Sequence, residues 1–240
     1  MTAAPSNRWV SPAWAVAATV TVMATVLAAG RLGPPGTMLV AGPLGALVVL
    51  LVARGSGLGA DDVGLGRGSL RRGAAYGLGC VAAVAVVYLV AARLPVTRSA
   101  FLDERYRLDP GAAVRTAFLV IPLGTVLFEE VSFRGVLWGL VRRERGAAPA
   151  TLVSSALFGL WHVLPSLRLH RVNPAVAGLV GPGPAGPFLA VGGAVLVTAV
   201  AGVLFGELRR RSGSLLAPLG LHWAVNGLGV LVTAGTARWS

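Results

Sequence analysis

The chain has few of the residues from which soluble catalysts are built. It has no lysine, nine acidic residues, three histidines and one cysteine, Cys80. A single cysteine excludes an internal disulfide and any thiolate metal cluster. Cys80 lies in an apolar stretch and reads as a small packing residue. Charged residues are 12% of the sequence, and no polar segment is long enough to fold outside a bilayer, which excludes a separate soluble domain. All the basic charge is arginine, 21 in number, giving a net charge of +12. These arginines stand in small clusters between apolar stretches rather than on one basic module, which argues against nucleic acid. They fit the positive-inside bias and contact with anionic lipid headgroups. Together with 33 glycines and 15 prolines, the exclusive use of arginine points to GC-rich codons and to a bacterial cytoplasmic membrane.

Common protease signatures are missing as well. Neither His162 nor His222 is followed by glutamate, so there is no H-E-x-x-H zinc motif. The stretch "RRSGS" lacks the first glycine of a G-x-S-G motif, and no apolar run carries an aspartate.

What is present is apolar sequence. Hydrophobic residues make up 55% of the chain and the mean hydropathy is +0.75, which predicts an all-α, polytopic transmembrane bundle. Seven apolar runs stand out, at about 13–29, 38–52, 74–92, 113–141, 148–164, 188–208 and 215–234. There is room for an eighth around 174–180. The "GPGPAGP" stretch at 181–187 predicts a loop or a broken, re-entrant passage. The expected organisation is N-terminal helices and loops over 1–112, a catalytic helical core over 113–234 and a short tail at 235–240. On seven runs, the N-terminal side carries 11 arginines and the other side 9. The compact clusters "LRRG", "VRRERG" and "LRRRSG" tip the expected N-terminus towards the cytoplasm.

Inside the runs a few polar residues remain: Glu129, Glu130, Arg134, His162, His222 and Asn226. A charge at the centre of a bilayer costs roughly 2.5–3.5 kcal/mol, so such residues are functional by default. Glu130 and Arg134 are four apart on a helix and can neutralise each other, while Glu129 is rotated by about 100° and points elsewhere. One glutamate is thus tied and the other left free to serve as a general base. The residue types fit glutamate-plus-histidine hydrolysis. Glu129 and His162 would hold and deprotonate a water, and His222 and Asn226 would donate to the oxyanion. Sited sixteen residues into the fourth run, Glu129 would lie nearer its "RRERG" end, with a cavity open on that side. The bland alternatives are a structural ion pair and satisfied interhelical hydrogen bonds.

Three short patterns occur in order on separate runs: "EEVSFR" (129–134), "FGLWH" (158–162) and "HWAVN" (222–226). With "RSGSLLAPLGLHWAVN" leading into the third, residues from about 113 to 231 resemble the CAAX prenyl protease and bacteriocin-processing (CPBP, or Abi) family. The resemblance implies an intramembrane endopeptidase that cuts a peptide or membrane-protein tail near the membrane surface, and eight helices in eukaryotic members. The family's metalloprotease label admits Zn2+ on Glu129, His162 and His222; water activation without metal is the alternative. Two other readings compete: a non-catalytic immunity or scaffold protein of the same fold, and a proton-coupled transporter. The transporter ranks lower because no internal repeat is visible.

Overall fold

The computed structural model describes residues 10–236. Among them there is no strand, and seven helices are long and apolar enough to cross a membrane: Pro12–Leu32 (α1), Thr37–Gly55 (α2), Arg67–Ala91 (α3), Pro110–Arg145 (α4), Ala147–Ser166 (α5), Gly186–Ser212 (α6) and Leu216–Thr236 (α7). The protein is a multi-pass membrane protein. Residues 174–180 form a seven-residue helix, too short to span, so the extra crossing is not made. The "GPGPAGP" stretch is a loop that ends where α6 begins, with Pro187 in the first turn of that helix. Of the expected tail, residues 235–236 close α7, and 237–240 lie outside the described residues.

Local chemistry sets the helix ends. Ser11 caps α1 ahead of Pro12, and Asp109 caps α4 ahead of Pro110, its carboxylate accepting from Ala112 N at 2.9 Å. A side-chain acceptor satisfies an orphan N–H there, and proline loses nothing in the first turn. At the other end of α4, Gly146 takes φ +85°, a conformation that costs glycine little, and the chain reverses at once into α5.

Small residues let the helices approach closely. A Cβ on Gly202 of α6 would come within 2.9 Å of Ser155 Cα on α5, and one on Gly220 of α7 within 2.7 Å of Gly77 Cα on α3. Lipid offers no hydrophobic drive for helix association, so such contacts supply the dispersion energy that holds spans together.

α4 is the central helix. Every residue from Phe128 to Leu140 is buried, so this stretch is surrounded by protein rather than lipid. It is also wound unevenly, with wide π turns at Thr116–Val120, Pro122–Val126 and Val131–Leu137 flanking a normal turn at Leu127–Glu130. Pro122 has no N–H to give and crowds the preceding turn, a known cause of such defects. Wide turns of this kind recur at functional sites.

Candidate active site

The site is built where α4, α5 and α7 meet. Glu130 and Arg134 of α4 are fully buried, and Arg134 Nη1 donates to Glu130 Oε1 at 3.1 Å. Their spacing in sequence therefore does make the pair. The guanidinium carbon also sits 4.0 Å from the ring centre of Phe158 and 4.7 Å from that of Phe205. Aromatic faces attract a desolvated cation by up to about 2 kcal/mol.

His222 of α7 joins the same pair. Its Nδ1 donates to Glu130 Oε1 at 2.8 Å, and its Nε2 lies 3.8 Å from Glu129 Oε2. The imidazole stacks on Phe205 at 5.1 Å. Glu129, though only 5% exposed, turns the other way, and its Oε1 accepts from Trp161 Nε1 at 2.9 Å. His162 gives Nδ1 to the carbonyl of Phe158 at 2.8 Å, which leaves Nε2 as the ring's acceptor.

Above this cluster is a cavity of about 580 Å3 whose lining includes Glu129, Trp161, His162, Thr125 and Asn226. The six candidate residues thus fall into two sets. Glu129, His162 and Asn226 face the cavity. Glu130, Arg134 and His222 do not line it, and His222, expected as an oxyanion donor, instead bridges the two glutamates from below. The sequence reading passed over Trp161, Phe158 and Phe205 as partners of the charges. Phe158 and Trp161 lie inside "FGLWH", so the motif held the signal; nothing local marked Phe205.

The cavity opens on the opposite face from the one expected. Its rim is made by Gly30 and Arg31 at the end of α1, Arg105 and Tyr106 before α4, and Pro165 and Ser166 at the end of α5. All belong to the side where α4 starts. The "RRERG" side is plugged by the 56–66 loop. Arg209 Nη2 donates to the carbonyls of Asp61 and Asp62, Arg143 to those of Ser56 and Gly57, and Leu215 N to that of Gly64. Depth along one helix could not reveal which end was stoppered.

On the open side, two connections are tied across the mouth. Asp103 accepts from Arg105 Nε and Nη2 at 2.9 and 2.8 Å and from Asn173 Nδ2 at 3.1 Å. Burial pushes the Asp103 carboxyl up, but the Arg105 and Asn173 donors outweigh it and hold it below the usual carboxylate range.

The donor set does not fit a metal. Among the described residues no three histidine, cysteine, aspartate or glutamate side chains converge to hold one. Both nitrogens of His222 face carboxylates, so His222 has no ring nitrogen open to the cavity, whereas His162 keeps Nε2 open. The expected zinc ligands Glu129, His162 and His222 are therefore not assembled as a ligand triad.

The family model for type II CAAX prenyl endopeptidase, Rce1-like, matches residues 112–228. Residues 112–228, just under half of the 240-residue chain, are thus similar to the Rce1-like family. The matched segment holds all six candidate residues, all of α5 and the parts of α4 and α7 that carry them. No curated protein and no solved structure matches the chain. The α1–α2 wall of the cavity and the Arg105–Tyr106 rim lie outside the Rce1-like match.

Proposed function

We propose that the protein is an endopeptidase that hydrolyses a peptide bond within the 580 Å3 cavity, using a water activated by Glu129 and His162. The carrying observation is the division of the two glutamates. Glu130 is spent on Arg134 and His222, while Glu129 faces the cavity with its Oε1 held by Trp161 and His222 nearby. A carboxylate presented to the cavity can take a proton from water as that water attacks the scissile carbonyl, and return it to the leaving amine. His162 Nε2 gives the water a second acceptor and so fixes its direction. Asn226, on the same lining, supplies an N–H donor for the oxyanion. His222 acts through the glutamates. Nδ1 fixes Glu130, the neighbour of Glu129 on α4.

No step of this reading passes through a metal ion. The substrate is a peptide or the tail of a membrane protein, entering from the face that carries Arg31 and Arg105 or laterally from lipid. A scaffold or immunity role would not need Glu129 turned into a cavity. Mass spectrometry of membranes from cells making the wild type or Glu129→Gln tests the reading. Defined cleavage products should vanish in the variant, and identical peptides from both would refute it.

A further inference from the structure

Beside the catalytic cavity lies a second hollow of about 310 Å3, whose lining includes Tyr88, Phe101, Gly229 and Thr233. It shares Arg105, Tyr106 and Asn226 with the catalytic cavity, so these three residues form the partition between the two. Its walls are fixed by bonds between separate elements. Tyr88 Oη of α3 donates to Val225 O of α7 at 3.0 Å, and Thr236 Oγ1 of α7 donates to Phe101 O at 2.9 Å. The Tyr88 and Phe101 rings meet edge-to-face at 5.3 Å. Asp103 holds Arg105 at the rim through two hydrogen bonds.

If Asn226 receives the oxyanion, the scissile carbonyl sits against the partition. An extended chain advances only about 3.3–3.6 Å per residue, so the residues on the two sides of that carbonyl must use the spaces on the two sides of Asn226. An endopeptidase needs both. We infer that the 310 Å3 hollow is the second substrate subsite, receiving the side chain on one flank of the scissile bond and selecting it by size, up to an aromatic ring. Its size sits at the low end for ligand pockets, roughly 300–1,000 Å3, which suits one side chain. Tyr88, Phe101 and Tyr106 form its aromatic wall, and Asp103, Arg105 and Asn226 also line it. This inference rests on the hydrolase reading above and adds where the substrate's second flank lies.

The test is a cleavage-site profile of purified enzyme on a proteome-derived peptide library. Gly229→Val fills the hollow from α7, where a Cβ would meet only Tyr88 at an ordinary 3.6 Å. Ala100→Phe, at an exposed position, fills it from the opposite wall. Both variants should lose at least about tenfold in kcat/KM for sites with a large residue at one and the same position, the discrimination a methylene-scale change produces. Small residues there, and all other positions, should be cut as before. A position-independent loss, or an unchanged profile in both variants with melting temperature retained, overturns the inference. The hydrolase reading fails by a separate result, namely cleavage that persists in Glu129→Gln.

Discussion

Removing Glu130 should unfold this protein more readily than removing any other charge, and the size of the effect can be worked from the site. Glu130→Ala leaves Arg134 with no exposed surface and without its Nη1 partner. Breaking a buried pair by deleting one member costs about 3–5 kcal/mol, because the remaining charge is uncompensated. The Phe158 and Phe205 faces stay in place at 4.0 and 4.7 Å and still hold the cation, which sets the expected loss near the lower end, about 3 kcal/mol. For a chain of this size that lowers the melting temperature by roughly 6–12 °C.

Arg134→Met should cost less than Glu130→Ala, because Glu130 keeps the His222 Nδ1 donor at 2.8 Å. Combining Glu130→Ala with Arg134→Met leaves no orphan charge and should recover about 2 kcal/mol of the summed losses. The assay is thermal unfolding in detergent across the double-mutant cycle, with expression level as a second measure. Single effects that add to within about 0.5 kcal/mol would show that the pair contributes no coupling, and the assignment of Glu130 as a spent charge would fall. Glu130→Ala should also impair turnover, since His222 loses its anchor. Glu129→Gln should leave stability intact, because the amide oxygen can still accept from Trp161.

Other outcomes follow from the same geometry. His162→Ala should lower the rate on the order of 10²–10⁴, measured as single-turnover cleavage, with folding unchanged. Asn226→Ala should cost about 2.7–4 kcal/mol in kcat with little change in KM; a loss confined to KM would reassign it to substrate binding. Trp161→Phe keeps the ring contacts to Phe128 and Phe133 but removes the donor to Glu129, so kcat should fall while KM and melting temperature hold. Zinc chelation should leave turnover unchanged, as the three expected ligands do not converge; activity lost to chelator and restored by zinc would overturn this. In a Cys80→Ser background, impermeant maleimide should reach cysteines at Arg105 and at Arg145 from opposite sides of the membrane.

The seven spans were legible because each is an apolar run bounded by arginine, glycine or proline, and the helix ends differ from the runs by four residues or fewer except at the start of α3, which begins seven residues earlier. The Glu130–Arg134 pair was legible because helix periodicity alone sets it. Contacts between helices were not. That His222 would cross from α7 to Glu130, 92 positions away, or that Phe205 would lie over Arg134, depends on how three helices pack. The face on which the cavity opens was misread for the same reason. The 56–66 loop that seals the "RRERG" side is held by long-range bonds from Arg143 and Arg209, which no local pattern announces. One consequence is topological. The N-terminal side of α1 and the cavity mouth lie on opposite faces, so a cytoplasmic N-terminus and a cytoplasmic cavity exclude each other.

The packing also explains how a bilayer protein sustains three adjacent formal charges. The cost of a charge in lipid, roughly 2.5–3.5 kcal/mol, applies to a residue that meets lipid. Between Phe128 and Leu140 α4 meets none, since all of that stretch is buried in protein. Glu130 and Arg134 cancel at 3.1 Å, with aromatic faces closing over the cation. Among Glu129, Glu130 and Arg134 one formal negative charge is left uncancelled, and it is on Glu129, the one glutamate that borders the cavity. The uncancelled charge therefore sits where a substrate and a water can reach it. Reversing the roles of the two glutamates would put the free charge beneath the floor and leave the cavity without its base.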